Sequence, residues 1–278
     1  MMFARTLTRR LTGRRTRPTV QAPDVWTSLD AVQRADHTGT AVYLAHGPAG
    51  PLCQDQGPGR HLLIVGPSGS GRTGLARLVT AQHLAADRRV LLCDLAGDYR
   101  PDHQWARTLP GLDYRAGIES IHEALTDTAL IMDARGSRVV VIEDLDSVLV
   151  HSRYHWQATR DARDPVTDPL PLALVSLLYG PRTGPAVVAT GTGRGLPTRA
   201  VDQFGTRVLT PGYGAAMWRA LVPHLDPAPA PATLGQLYIA RYGPHGQDVQ
   251  RAITPHVSPE AARAIACGHL APPAREES

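Results

Sequence analysis

Lysine is absent from this chain of 278 residues: all 29 basic residues are arginine, although lysine is ordinarily among the commonest amino acids. Cysteine is scarce. Cys53, Cys93 and Cys267 lie far apart, with no C-x-x-C pair and no histidine pair at ligand spacing, which excludes a disulfide framework or a zinc site as the organising principle. Small buried thiols in a reducing compartment are expected instead. No run approaches the roughly 18 apolar residues of a membrane span. The N-terminus also lacks the apolar stretch that a signal peptide or twin-arginine leader needs behind its charges. A cytoplasmic protein without a transmembrane segment is therefore expected. Trp26, Trp105, Trp156 and Trp218 are spread too widely for a base-stacking platform. His61, His83 and His103 share no metal-like spacing and read as surface or satisfied core groups.

What is present is unevenly placed. Residues 1–18 (MMFARTLTRRLTGRRTRP) carry six arginines and no acid, so residues 19–278 hold 23 arginines against 25 acids, a net of about −2. A solvated basic arm results, suited to nucleic-acid phosphates or an anionic membrane surface. With every lysine gone, an arginine at a position where a motif usually has lysine is weaker evidence of lost function than it would be in a lysine-rich chain.

After the arm, WTSLDAVQRADHTG has weak helical spacing, AVYLAHG (41–47) reads as a short strand, and residues 48–60 read as a loop rich in glycine and proline. HLLIV (61–65) is a continuous apolar run bounded by glycine, the pattern of a strand buried on both faces. In the helix expected next, Leu75, Leu78, Val79, Ala85 and Ala86 share one face. RRVLLCD (88–94), RVVVIED (138–144), AVVAT (186–190) and TRVLT (206–210) are further strands, separated by helical patterns at GIESIHEALTDTALIMDAR (117–135) and PLPLALVSLLYG. Strands alternating with helices predict an α/β fold with a mainly parallel sheet and helices on both faces. SRYHWQATRDARD (152–164) is expected as a polar insertion loop, and the proline-rich stretch from 223 as an extended connection. GQLYIARYG gives one more strand. SPEAARAIACGHL gives a helix capped by Ser258 before Pro259 and Glu260. The expected organisation is an arm over 1–35, a core over 36–222, a connection with the closing strand and helix of the same domain over 223–268, and a tail over 269–278.

Two motifs carry chemistry. HLLIVGPSGSGRTGLARL contains a phosphate-binding loop, G-x-x-x-x-G-K-[ST], spanning Gly66, Pro67, Ser68, Gly69, Ser70, Gly71, Arg72 and Thr73, with arginine where lysine is usual. Glycines let backbone amides face a β-phosphate, the helix N-terminus adds positive potential, and the Thr73 hydroxyl is a Mg²⁺ ligand. Arg72 keeps the charge but is planar and bulkier than lysine. The second motif, RVVVIEDLD, is a strand ending in Glu143 and Asp144, one acid for the metal and one to orient water. Their order is the reverse of the usual Asp-then-Glu.

From about residue 40 to 268 the chain resembles the motor domain of the FtsK/SpoIIIE family of hexameric double-stranded DNA translocases. HLLIVGPSGSGRT is similar to that family's PHLLIAGTTGSGKS-type segment, RVVVIEDLDSVL to its VVVIDELADLM-type strand, and GPAVVATGTGRGLP to its GIHLVLATQRPS-type strand and turn. FGTRVLTPG resembles the NIPTRIAFRV-type strand, and GQLYIARYGPHGQDVQRAITPHVSPEAARAIA the closing hairpin with its VSDEEV helix start. The resemblance implies a RecA-like ATPase that binds ATP and Mg²⁺ between subunits of a ring and drives DNA through a pore. It places Arg207 where an arginine approaches a neighbour's γ-phosphate. It also exposes a gap, because Gly191 stands where the family has a glutamine sensor. With Arg72 and the reversed acids, three sites of the hydrolytic machinery are altered, so nucleotide binding is more secure than turnover. Two other readings stay open. One is a non-catalytic assembly module similar to the degenerate motor domains of type VII secretion ATPases. The other, less favoured because no arginine-rich lid is evident, is a phosphoryl-transferring kinase.

Overall fold

Successive residues of a strand point to opposite faces of its sheet, and in residues 62–65 both faces are dry. Leu62 and Ile64 join one buried cluster with Leu75 and Leu78, whereas Leu63 and Val65 join another with Ile121, Leu125 and Leu174. The computed structural model describes residues 24–25, 27–30, 40–57, 59–131, 138–181, 183–194, 196, 198–223, 235–243 and 246–268. Residues 1–23 of the expected arm and residues 224–234 of the proline-rich connection lie outside the described residues, whereas residues 25 and 27–30, expected as part of the arm, are helical, with Val25 and Leu29 buried in the core.

Among the described residues the strands are β1 (Ala41–Gly47), β2 (Gly50–Asp55), β3 (Leu62–Val65), β4 (Arg89–Asp94), β5 (Leu112–Ala116), β6 (Arg138–Glu143), β7 (Ala186–Gly191), β8 (Thr206–Leu209), β9 (Gln236–Gly243) and β10 (Gly246–Ile253). Besides the helical residues 25 and 27–30, the helices are α1 (Arg72–Ala85), α2 (Ile118–Leu130), α3 (Leu145–Thr159), α4 (Leu170–Tyr179), α5 (Thr198–Val201), α6 (Ala215–Leu221) and α7 (Pro259–Ala266), with a 3₁₀ helix at Pro101–Ala106. One sheet holds all ten strands in the order β2-β1-β10-β9-β8-β3-β7-β6-β4-β5. From β8 to β5 the pairing is parallel, and from β8 outward through β9, β10, β1 and β2 it is antiparallel. The parallel part carries α1 and α7 on one face and α2, α3 and α4 on the other, the arrangement its continuous apolar strands require. No helix among the described residues is long and apolar enough to cross a membrane.

Four local expectations need correction. Residues 50–55, read as loop, form β2, which is possible despite Pro51 because β2 is a sheet edge where a missing N–H donor is tolerated. β5, with its half-buried LDYRA sequence, is the opposite edge and had no strand signal. Ser152 to Thr159 continue α3 instead of forming an insertion loop. The polar face there is used inward, where Ser152 Oγ donates to Asp168 Oδ2, His122 Nε2 lies 3.1 Å from Asp168 Oδ1, and the His122 ring stacks on Trp156. Finally, α1 buries every residue from Leu75 to Leu84, not a single stripe, while Ala86 is exposed. Gln82 explains how a polar residue is accommodated. Where the β1–β2 register shifts between Tyr43 and Ala45, its amide accepts from Tyr43 N at 2.8 Å and donates to Tyr43 O at 2.9 Å. The expected cap of α7 is present: Ser258 Oγ accepts from Ala261 N at 3.2 Å.

Candidate functional site

β3, β7, β6 and β4 end side by side, and a cleft of about 1030 Å³ opens at those carboxyl ends, lined in part by Ser68–Leu75, Asp94, His103, Glu143 and Asp144. Crevices of open α/β sheets bind ligands at this edge.

The glycine loop leaves β3 under tight constraint. Gly66 N donates to Gly191 O at 3.1 Å, and Thr210 bonds Val65 O through both its backbone N (2.9 Å) and Oγ1 (3.1 Å). Ser70 Oγ and Thr210 Oγ1 are 2.6 Å apart, and a Cβ on residue 66 would fall directly on both hydroxyls. Gly66→Ala should therefore either unmake that hydroxyl pair or unseat the loop, at a cost of about 1–3 kcal/mol. A thermal melt that matches wild type would refute this. Gly69 (φ 77°) and Gly71 (φ 98°) sit in the left-handed region that L side chains avoid. Gly71 is the N-cap of α1, which has no acidic residue in its first turn and no side-chain cap, so its leading amides face the cleft unneutralised.

Arg72 is the first residue of α1 and its side chain is 14% exposed. Its Nη1 is buried without a hydrogen-bond partner and lies 3.8 Å from Asp144 Oδ1, too far for a direct bond. Thr73 lines the same cleft. Glu143 and Asp144, adjacent in sequence, have different environments. Glu143 is buried, and both of its oxygens are engaged: His103 Nε2 lies 3.0 Å from Oε1, and Thr190 Oγ1 donates to Oε2 at 2.7 Å. Burial raises its pKa, but the His103 bond and charge, the Thr190 hydroxyl and the Arg72 charge together outweigh it and hold the carboxyl below its ordinary value. Asp144 projects further, accepts from Ser147 Oγ at 2.7 Å, and is one of two non-glycine residues at positive φ among the described residues (φ 54°, ψ 57°). Its backbone N donates to Thr190 Oγ1 at 2.9 Å. A left-handed aspartate at the mouth of a cleft is the kind of strain found at functional positions. Asp94, at the end of β4, is pushed up in pKa chiefly by burial and accepts from Tyr114 OH at 3.0 Å.

The glutamine gap at Gly191 has a steric cause. A Cβ there would meet Asp146 Oδ2 at 2.6 Å, and that carboxylate receives the backbone N and hydroxyl of Thr192 and the N of Gly193. The turn after β7 is thus tied to the start of α3.

The structure brings together Gly66–Thr73, Glu143 and Asp144. Arg207 is elsewhere. Its guanidinium is 3% exposed and bonded within the chain: to Leu221 O, to Tyr242 OH at 3.1 Å, to Phe204 O at 3.3 Å and to Asp202 at 3.2 Å, with its Cζ 4.1 Å from the Tyr242 ring centroid. Reaching a neighbouring subunit would require breaking all of these. Sequence reasoning missed His103, Thr190 and Asp146. Thr190 and Asp146 flank recognised motifs, and the signal was a polar residue at a strand or helix end. His103, in PDHQW, had no motif to betray it.

No protein-family model matches the chain and no curated protein sequence matches it. Solved structures do. The cytoplasmic domain of the type VII secretion ATPase EccC from Thermomonospora curvata superposes with a TM-score of 0.55 at 17% identity, over 78% of this chain and 26% of that one. The pCW3 conjugation coupling protein TcpA, in monomer form with ATPγS, gives a TM-score of 0.58 at 11% identity over 80% and 67%. EssC (ATPases 2 and 3) from Geobacillus thermodenitrificans gives 0.55 at 12% over 81% and 48%. The chain thus spans about a quarter of the length of the EccC structure. At such identities the shared property is the architecture, and the chain has the RecA-like α/β fold of the FtsK/SpoIIIE-like P-loop ATPases.

Proposed function

We propose that this chain is an ATP-binding motor domain of the translocase type, acting on double-stranded DNA as a ring of like subunits, with weak turnover. The observation that carries the nucleotide part is Arg72. A buried guanidinium N–H without a partner, at the head of an uncapped helix and behind two left-handed glycines, is a donor waiting for an anion. The residues present fit a triphosphate: amides of Gly69, Gly71, Arg72 and Thr73 for the β-phosphate and the Arg72 guanidinium for the oxygens beyond it. Mg²⁺ would be held by Thr73 Oγ1 and by Glu143, the described residues containing no cluster of three or more His, Cys, Asp or Glu placed to hold it alone. Bound together, ATP and Mg²⁺ supply the phosphoryl transfer that powers such motors, and Asp144, the more exposed acid, orients the attacking water.

The DNA part rests on the coupling-protein fold match and on the arginine-rich arm, whose phosphate contacts would make binding steeply salt-dependent. ATP hydrolysis measured with and without double-stranded DNA, at concentrations that allow rings, tests it: DNA-stimulated turnover is expected, and intact ATPγS binding with no turnover in either condition would overturn the motor reading. Thr73→Ala should abolish the Mg²⁺ dependence of ATPγS binding in a calorimetric titration; an unchanged dependence would remove Thr73 from the metal site.

Two observations favour a second reading. With both Glu143 oxygens occupied and no glutamine at Gly191, the chain suits a nucleotide-binding assembly module of secretion type, as the folds of EccC and EssC suggest. It would bind ATPγS, turn nothing over, and retain a protein partner in place of DNA.

A further inference from the structure

We propose that His103 is a positioning residue for Glu143, and that the segment carrying it couples the open wall of the cleft to the acid at its floor. The inference rests on the nucleotide reading given above.

The two partners of Glu143 differ in kind. Thr190 belongs to β7, which is laddered to β6 with Ala189 opposite Ile142, so its hydroxyl is fixed by the sheet itself. His103 belongs to the 3₁₀ helix Pro101–Ala106, beyond the end of β4, and is not part of the sheet. Its ring is 1% exposed, and Nδ1 is buried with no hydrogen-bond partner. The bond from Nε2 to Glu143 therefore orients the imidazole, and in return fixes which way the carboxylate turns. Because a carboxylate only accepts, Nε2 carries the hydrogen.

The 3₁₀ helix is anchored to the helices beside it. Arg77, one turn along α1 from Thr73, donates to Asp102 O at 3.1 Å and to Val257 O at 2.9 Å, and Arg263 of α7 donates to Trp105 O at 3.2 Å. Ahead of the helix, Tyr99 (90% exposed) and Arg100 line the cleft. A ligand that shifts this wall must carry His103 with it, which would release Oε1 and leave a buried carboxylate short of a donor. That state is costly, so the wall and the acid move together. Losing a partner that orients a metal-side carboxylate in this way typically costs about ten- to a hundredfold in metal affinity.

Two amide substitutions separate positioning from packing. His103→Gln places an N–H at the same number of bonds from Cα as Nε2, whereas His103→Asn presents the same group one methylene short. In the full chain, the Mg²⁺ concentration giving half-maximal ATPγS binding should rise about tenfold or more for His103→Asn and return to within about threefold of wild type for His103→Gln. ATPγS affinity without metal should be unchanged in both. The proposal is overturned if both variants keep the wild-type Mg²⁺ requirement, or if both shift it equally along with the metal-free affinity. A wild-type chain that binds no ATPγS would overturn the nucleotide reading and this inference with it. Binding with an unaltered Mg²⁺ requirement sinks the inference alone.

Discussion

Arg72→Ala should weaken ATPγS binding by about two orders of magnitude or more while leaving the melting temperature of the free protein unchanged or slightly raised. The two halves of that expectation have one cause. In the free chain the guanidinium is mostly buried, Nη1 has no hydrogen bond, and the nearest counter-charge, Asp144 Oδ1, is 3.8 Å away on a side chain 44% exposed. An ion pair of that geometry contributes less than about 1 kcal/mol, and burying an unpaired donor costs at least as much. Arg72 therefore does little for stability. Toward phosphate, charge-assisted bonds are worth about 1.5–3 kcal/mol each, and two of them account for the predicted loss. Arg72→Lys should keep affinity within about tenfold, because an ammonium on a flexible stem reaches the same oxygens as a point charge. Calorimetry and a thermal melt on both variants check this. An alanine variant that binds as wild type does would remove Arg72 from the phosphate site, and one that melts well below wild type would make it a structural residue.

Much of the fold was legible because the parallel strands are buried on both faces. LLIV, RVLLCD, RVVVIE and AVVATG are almost uninterrupted apolar runs, and each became an interior strand within a residue of its expected ends. Of the three strands that the pattern of residues did not supply, β2 and β5 are the two edges of the sheet, and β10, an interior strand, came only from the resemblance to a closing hairpin. An edge strand covers less core and tolerates Pro51 or the polar LDYRA pattern, so the periodicity that reports burial fades where burial does. The polar stretch after Asp144 failed for the opposite reason: Ser152, His122 and Asp168 satisfy one another across three segments, which composition alone cannot reveal. The candidate site divides in the same way. Gly66–Thr73 are a contiguous motif whose chemistry is local, and they lie together as read. His103, forty residues before Glu143 in sequence, is joined to it only by tertiary packing.

Arg207 shows most clearly how a motif position and a molecular role separate. Its strand matches the family pattern, and the resemblance assigned its side chain to a neighbouring subunit's phosphate. In the structure the same side chain binds the C-terminal end of α6 through Leu221 O, stacks on Tyr242 of β9 and meets Asp202 just after α5. It ties α5 and α6 to the ladder of β8 and β9. Arg207→Ala should therefore destabilise the isolated chain by about 3 kcal/mol, from lost bonds and a cavity, although Tyr242 OH keeps its own bond to Leu221 O at 2.9 Å and Asp202, 60% exposed, is not left buried. For a chain of this size that corresponds to a fall of roughly 6–12 °C in melting temperature. Arg207→Lys should not rescue it, since an ammonium offers neither the planar fork nor the stacked face. An arginine acting on a neighbour's nucleotide behaves otherwise: its loss leaves the melt untouched and lowers turnover only where subunits meet. A wild-type melting temperature in Arg207→Ala, together with turnover lost at ring-forming concentrations, would return the residue to the subunit interface.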